Sequence, residues 1–160
     1  MKGQSEVLKV LQEMLEEELG AINQYFLHSE MCENWGYKRL SKAIKKLSIT
    51  EMKHAEEIIE RMLFLEGAPN LSELPKLSIG KDVKQQLQND LALEIGAVEG
   101  YNEAIAACRK AGDNGTADFL KEILAAEEAH VDFFEEQLGL VEQVGLQNYL
   151  AQQLGEETEK

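Results

Sequence analysis

The sequence predicts an all-α protein: a four-helix bundle with a long crossover between the second and third helices and a short fifth helix near the C-terminal end. Helix-favouring residues dominate, notably Leu, Glu, Ala, Lys and Gln, and only two prolines and 6% aromatic residues occur in 160 positions. Apolar residues recur every three to four positions in four long runs, as on one buried helix face. No shift in composition marks a boundary, so we expect one domain, residues 1–160.

Most of the predicted helices have recognisable ends. Ser5 can cap the first helix, and Asp82 with Gln85 can form a capping box at the start of the third. Gly67 follows the second helix, and Gly139 is expected to end the fourth. The predicted helices span about 5–35, 38–66, 82–111, 116–138 and 146–154.

The lengths of the connections predict the topology. The first and second helices, and the third and fourth, are joined by only a few residues, so each pair should form an antiparallel hairpin. Residues 67–81 contain both prolines, Pro69 and Pro75. About 15 extended residues span roughly 50 Å, and a 30-residue helix is about 45 Å long. This link can therefore cross the whole bundle and leave the second and third helices parallel.

The net charge of −14 argues against a nucleic-acid partner, because phosphates would be repelled. Cations are the more plausible ligands, although acidity alone is also explained by solubility. Cys32 and Cys108 match no zinc or disulfide pattern, which favours a reducing compartment. No signal-peptide pattern and no run of 18 apolar residues is found, so we expect a cytoplasmic protein that does not enter a membrane.

An internal repeat relates the two predicted hairpins. A shift of 76 residues places LGAINQY, which begins at Leu19, on IGAVEGY, which begins at Ile95, and Cys32 on Cys108. The same shift superposes the most informative polar residues, which form three pairs: Glu18 with Glu94, Glu51 with Glu127, and His54 with His130.

These six residues predict a metal centre. A lone Glu three residues before a His is commonly a surface ion pair, but Glu18 and Glu94 lie on apolar stripes that should face the core. Four unpaired buried carboxylates would cost several kcal/mol each. Two divalent cations neutralise them, and one Glu from each of two helices plus an ExxH pair from each of two others is the ligand set of di-iron and di-manganese bundles. Structural zinc is disfavoured by the ligand types, but these do not separate iron from manganese.

With these motifs in view, the chain resembles the bacterioferritins, the haem-containing branch of the ferritins, over essentially its whole length. The resemblance is carried by LEEELGAINQYFLHSEM, ITEMKHAEEIIERMLFLEG, LALEIGA and the closing GLQNYL. It implies a ferritin-like fold, oxidation of Fe(II) by oxygen or peroxide, and storage of ferric mineral in a hollow 24-mer. It also implies roles for the six residues: Glu18 and Glu94 as terminal ligands, Glu51 and Glu127 as bridges, and His54 and His130 as one nitrogen ligand for each iron.

Met52 breaks the repeat, since its partner at +76 is Glu128. It lies about 100° from Glu51 around the helix and so on the outer side, where an apolar residue suits a neighbouring subunit. One interpretation is a methionine packed in a dimer interface. The resemblance implies instead an axial thioether ligand to a haem b shared between two subunits, with a small bacterioferritin-associated ferredoxin as a redox partner.

The tyrosines are open to two interpretations. Tyr25 lies on the same face as Glu18, and Tyr101 stands in the matching relation to Glu94. The resemblance implies that Tyr25 belongs to the catalytic site as an electron donor, whereas a core tyrosine making a hydrogen bond is the simpler alternative. His28 and Trp35 are expected to be structural, and both cysteines to be small buried residues.

Some positions depart from patterns found in parts of that family. Lys46 and Thr50 stand where some members carry His and Asp, and Ile58 and Phe133 where some carry Tyr and Trp. These departures argue against an additional inner-surface iron site and against those particular electron donors. The alternatives for function are a non-storing di-iron oxidase or peroxidase, a non-haem ferritin, and a metal-free structural bundle; a DNA-protecting mini-ferritin is disfavoured by the acidic charge.

Overall fold

The computed structural model describes residues 1–155, and within them every regular element is helical. The predicted all-α bundle with a short fifth helix is confirmed. Its helices are α1 (Ser5–Asn34), α2 (Lys38–Phe64), α3 (Val83–Lys110), α4 (Asn114–Val144) and α5 (Leu146–Ala151). None of these helices is both long enough and apolar enough to cross a membrane.

The crossover runs along α1 from one end of the bundle to the other. At its start, the Gly3 amide donates to the Leu65 carbonyl, 2.8 Å away. At its end, the Gly80 amide donates to Nε2 of His28, 3.0 Å away, near the C-terminal end of α1. The helix α2 runs antiparallel to α1, and the crossover then returns the chain to the end of the bundle at which α2 began. The helix α3 therefore begins at the same end of the bundle as α2. The predicted parallel arrangement of α2 and α3 is therefore present.

A glycine lets the crossover pack closely against α1. A Cβ added at Gly20 would lie 2.5 Å from Cγ of Pro75, too close for any side chain. Proline at this point also holds the extended backbone that the crossover needs. The pair Gly20 and Pro75 thus fixes where the crossover passes over α1.

A buried polar network holds the end of the crossover. Nδ1 of His28 lies 2.9 Å from Oδ1 of Asp90 on α3, and Nε2 of Gln24 donates to the same oxygen over 2.8 Å. Because Nε2 of His28 accepts from the Gly80 amide, its ring proton must sit on Nδ1 and donate to Asp90. The amide of Ser78 donates to Gln24 as well. His28 therefore has a structural place in the fold, as the sequence suggested.

The fourth helix is longer than predicted. The sequence placed its end at residue 138, before Gly139, but α4 continues to Val144. A glycine inside a helix costs about 1 kcal/mol relative to alanine, whereas burying a side chain such as Val141, 4% exposed, contributes about 1.5–3 kcal/mol. The helix instead ends at Gly145, whose φ of 82° lies in the left-handed region that glycine adopts readily.

The fifth helix is shorter than predicted and ends at Ala151 rather than at residue 154. The amides of Gln152 and Gln153 donate to the carbonyls of Tyr149 and Leu150, three residues back. Such tight turns commonly close a helix end. The second helix similarly ends at Phe64, two residues before the predicted end.

The core consists of two apolar clusters at different levels of the bundle. One contains Leu11, Leu15 and Leu120, and the other contains Ile44 and Phe134. The four glutamates and two histidines of the predicted metal centre lie between these two clusters, so that apolar side chains enclose them toward both ends of the bundle. The apolar residues thus fix the helices while the polar layer sits at mid-height.

Candidate metal centre

The structure brings the six predicted residues together in the middle of the bundle. Each is at most 7% exposed, and all four long helices contribute. Those six are Glu18 from α1, Glu51 and His54 from α2, Glu94 from α3, and Glu127 and His130 from α4. Helical spacing explains the two ExxH pairs, because residues three apart share a face.

Two glutamates face both histidines. Oε2 of Glu51 lies 2.8 Å from Nδ1 of His54, and its Oε1 lies 2.8 Å from Nδ1 of His130. Glu127 is arranged in the same way, with Oε1 2.9 Å from His54 and Oε2 3.6 Å from His130. Each carboxylate therefore presents one oxygen to each half of the cluster, which is the geometry a bridging ligand needs.

The other two glutamates each face one histidine. Oε1 of Glu18 lies 3.7 Å from Nδ1 of His54, and Oε1 of Glu94 lies 3.3 Å from Nδ1 of His130. The cluster therefore divides into two overlapping groups of four: Glu18, Glu51, His54 and Glu127, and Glu51, Glu94, Glu127 and His130.

The spacing within each group suits a metal ion. In each, one ligand atom per residue can be chosen so that all lie within 4.8 Å of one another. Ligands at about 2.0–2.3 Å from one ion lie within roughly 4.5 Å of one another, so only small side-chain adjustments are needed. Carboxylate oxygens and imidazole nitrogens are also the donor types that iron and manganese accept.

Unpaired buried atoms provide an independent sign of fit. Six side-chain atoms of the cluster are buried and have no hydrogen bond of proper geometry: both oxygens of Glu51, Oε2 of Glu94, Oε1 of Glu127, and Nδ1 of His54 and His130. The short contacts between these atoms have the wrong angles for hydrogen bonds. Buried polar atoms without partners are strongly unfavourable, and a cation between them removes the conflict.

The close packing of carboxylates and imidazoles shifts the pKa values of the cluster residues. Burial would lower the pKa of His54 and His130, but the carboxylates around each Nδ1 raise both to about 12. Burial raises the pKa of Glu94 to about 10, despite the nearby imidazole. For Glu127, burial is outweighed by the close approach of the His130 and His54 imidazoles, and its pKa is lowered. A cation held by this cluster would take over the role of these protons, because metal ligands must be deprotonated.

Two tyrosines contact the terminal glutamates in crossed fashion. The hydroxyl of Tyr25 on α1 donates to Oε1 of Glu94 on α3, and the hydroxyl of Tyr101 on α3 donates to Oε1 of Glu18 on α1. Both rings are fully buried. Burial and the adjacent carboxylate raise the pKa of each phenol well above its usual value, so both remain protonated donors. The structure thus contains the hydrogen bonds that the simpler interpretation of these two tyrosines predicts.

A cavity of about 380 Å³ lies between α1, α3 and the crossover, and Glu18, Tyr101 and Glu127 form part of its wall. Glu17 lines it as well and is exposed on the protein surface. Sequence analysis did not identify Glu17, because this chain is rich in glutamate and nothing in the repeat distinguishes it. Its partner at +76 is Leu93, which lines the same cavity.

Met52 lies apart from the cluster, on the outside of α2, and is 52% exposed. Phe26 and Ile49 on α1 and α2 are similarly exposed, at 53% and 45%. The thioether of Met52 is therefore accessible from outside this subunit, and Met52 is not among the residues of the carboxylate and histidine cluster. The haem role of Met52 remains a prediction.

The two cysteines are buried, as the sequence predicted, and the positions that depart from family patterns have ordinary structural surroundings. Cys32 and Cys108 are free and buried. Ile58 is fully buried in the core, and the Phe133 ring lies 5.2 Å from that of Phe134. Thr50 donates to the carbonyl of Lys46 on the same helix.

Comparisons with known proteins identify the relatives of this fold and site. The model of the ferritin-like domain family matches residues 8–144. A bacterioferritin of Mycolicibacterium paratuberculosis is 44% identical over 152 residues, which cover 95% of this chain and 96% of the relative. A bacterioferritin of Brucella melitensis is 44% identical, with 93% and 92% covered. A bacterial ferritin of Synechocystis is 43% identical, with 96% and 99% covered.

Proposed function

This chain belongs to the bacterioferritin family of ferritin-like proteins, and on that premise we propose that it is a ferroxidase that oxidises Fe(II) and stores the ferric product. The observation that carries the proposal is the convergence of four buried glutamates and two histidines on two adjoining positions of metal-ligand spacing. Their unpaired buried atoms support occupancy by cations.

In this proposal, the six residues bind two Fe(II) ions as substrate at two adjoining positions. Glu18 and His54 hold one position, Glu94 and His130 hold the other, and Glu51 and Glu127 hold both. Four carboxylates balance the charge of two divalent ions, so that the buried centre is nearly neutral when loaded. The bound pair supplies one electron from each ion to oxygen or peroxide. Tyr25 is the proposed catalytic tyrosine, and its hydroxyl already donates to Glu94.

Storage requires an assembly, and we propose the hollow 24-mer that the family resemblance implies. Exposed apolar side chains provide surface that a partner subunit can bury, among them Phe26, Leu63, Phe64 and Val144. Single exposed apolar residues are ordinary, but several on neighbouring helices favour an interface. The assembly is proposed to be built from dimers, with ferric mineral inside.

Met52 is the proposed axial ligand of a haem b shared by two subunits. Its side chain is accessible and points away from the cluster, so that haem and the di-metal centre occupy separate places. Bound haem supplies a one-electron redox centre, and a bacterioferritin-associated ferredoxin is the proposed electron donor for release of stored iron. The contribution of this chain is the thioether and the apolar surface around it.

One experiment tests the function. The protein is purified without oxygen, titrated with Fe(II), and exposed to oxygen or peroxide in stopped flow, while particle mass is followed by light scattering. We expect a rapid phase that saturates at two Fe(II) per chain, followed by slow mineral growth in a particle about 24 times the 18.0 kDa chain. Rapid oxidation without mineral growth would indicate a non-storing oxidase or peroxidase, and absence of the rapid phase would contradict the ferroxidase assignment.

A further inference from the structure

Each of the two terminal glutamates accepts a hydrogen bond from a tyrosine, and the internal repeat relates the two tyrosines to each other as it relates the two glutamates. The shift of 76 residues carries Glu18 to Glu94 and Tyr25 to Tyr101. In the folded chain, each tyrosine donates to the glutamate of the other helix: Tyr25 of α1 donates to Glu94 of α3, and Tyr101 of α3 donates to Glu18 of α1. The result is a pair of crossed hydrogen bonds that ties α1 to α3 at the level of the centre.

Orientation of these glutamates is a physical requirement. Glu18 and Glu94 contact one histidine each, whereas Glu51 and Glu127 are held between two. A terminal glutamate has three rotatable bonds and fewer neighbours to limit them. A hydrogen bond donated to the carboxylate by a neighbouring side chain restricts that freedom and orients the carboxylate toward the metal position.

The surroundings of the two tyrosines differ. The Tyr25 ring packs 5.8 Å from the Phe134 ring, at an interplanar angle of 33°. Tyr101 belongs to the other apolar cluster, and both it and Glu18 line the cavity of about 380 Å³. On that side Glu18 borders open space, so the Tyr101 hydroxyl is the contact that keeps its carboxylate directed at His54 rather than into the cavity.

We propose that Tyr101 is a positioning residue that orients Glu18 for the metal position shared with His54, so that each metal position of the centre is governed by its own tyrosine. This inference rests on the proposed two-metal function. It assigns Tyr101 a role separate from that of Tyr25, although the two occupy equivalent places in the repeat.

The test uses Tyr101→Phe, with Tyr25→Phe as its matched control. The full-length proteins are titrated anaerobically with Co(II), a redox-silent probe under these conditions, and binding is followed by calorimetry and the visible spectrum. We expect wild type to bind two Co(II) per chain. Tyr101→Phe should weaken one of the two sites by about 10-fold or more, which is the usual effect of removing a hydrogen bond to a metal-ligating side chain, while the other site keeps its affinity.

Double variants identify which position is affected. The loss caused by Tyr101→Phe should largely disappear in a Glu18→Gln background, and persist in a Glu94→Gln background; Tyr25→Phe should show the opposite pattern. A core-packing role alone would weaken binding equally in both backgrounds and would overturn the proposal, as would unchanged affinity. Wild type that fails to bind two Co(II) would instead contradict the two-metal function, so the two failures are distinguishable.

Discussion

Oε1 of Glu51 on α2 lies 2.8 Å from Nδ1 of His130 on α4, across the core of the bundle. Its other oxygen lies equally close to His54, on its own helix. Glu51 therefore belongs to both halves of the centre, whereas Glu94 approaches only His130. The four glutamates are chemically alike but unequal in position, and this inequality predicts different effects of removing them.

The first prediction compares a bridging with a terminal glutamate. Glu94→Gln should slow the rapid phase of Fe(II) oxidation by about 10-fold or more, because it removes an anionic ligand from one position. Glu51→Gln should slow it further, since both positions lose a ligand. Stopped-flow oxidation at two Fe(II) per chain measures both rates, and particle mass verifies that the variants assemble.

A matched control for this comparison is Glu57→Gln, an exposed residue on α2 outside the cluster. It should oxidise Fe(II) at the wild-type rate. If Glu94→Gln also kept the wild-type rate, the assignment of the terminal ligand would be wrong. Equal rates for Glu51→Gln and Glu94→Gln would argue against the bridging role of Glu51.

The second prediction concerns Met52. Because Met52 is exposed and lies outside the cluster, Met52→Leu should remove or shift the Soret band of added haem and leave the initial rate of Fe(II) oxidation largely unchanged. Reductive release of stored iron should become slower. The measurement is haem titration of the assembled protein, with Met62→Leu, a buried methionine of the same helix, as control. A wild-type protein that binds no haem would leave Met52 as an interface residue.

The third prediction concerns the buried network around His28. Replacing His28 by Leu leaves the Asp90 carboxylate with fewer donors and the Gly80 amide without its acceptor. We expect a loss of about 3 kcal/mol in the free energy of unfolding, since unsatisfied buried groups are costly. Urea unfolding of the metal-free protein measures it. Glu30→Gln on the same helix, which removes only an exposed ion pair with Lys45, should change stability by about 0.5 kcal/mol or less.

The double variant His28→Leu with Asp90→Leu refines this test. Removing both partners leaves no buried carboxylate without its donor. The loss in the free energy of unfolding of the double variant should therefore be smaller than the sum of the losses of the two single variants. Strict additivity would show that His28 and Asp90 act independently, contrary to the 2.9 Å contact between them.

Much of the fold, and the gathering of the six predicted residues into one buried cluster, could be predicted from the sequence, because both leave periodic signals. Helical spacing places Glu51 beside His54, and the repeat transfers that pair to Glu127 and His130. The length of the crossover predicts the parallel arrangement of α2 and α3. These features depend on local geometry and on chain length, which the sequence contains directly.

Other features depend on tertiary partners and carry no such signal. His28 and Asp90 are 62 positions apart, and neither belongs to a motif that predicts the other. The continuation of α4 past Gly139 depends on the burial of Val141 against the bundle, which outweighs the local preference of glycine. The crossed partners of Tyr25 and Tyr101 likewise appear only when α1 and α3 are packed together.

The last prediction concerns the start of α4, where Asp113 caps the helix. Its carboxylate accepts from the amide of Thr116 over 2.9 Å and from its hydroxyl over 2.6 Å, and Arg61 of α2 lies 3.5 Å away. Burial alone would raise the pKa of Asp113, but these hydrogen bonds and the Arg61 charge hold it below its usual value. Asp113→Ala should therefore reduce the free energy of unfolding by about 1–2 kcal/mol at neutral pH.

The lowered pKa of Asp113 also fixes how this loss depends on pH. The carboxylate contributes its full stabilisation above the unfolded Asp pKa of about 3.9. As the pH falls, the unfolded chain takes up the proton first, so the contribution declines and is lost below the folded pKa. The stability difference between wild type and Asp113→Ala, measured by urea unfolding, should thus be constant from pH 7 to 5 and shrink toward pH 3.

Asp82→Ala removes the exposed cap of α3, which has a single bond to Gln85, and should give a smaller loss at neutral pH. A difference for Asp113→Ala that grew on acidification would contradict the assignment of an ionised cap.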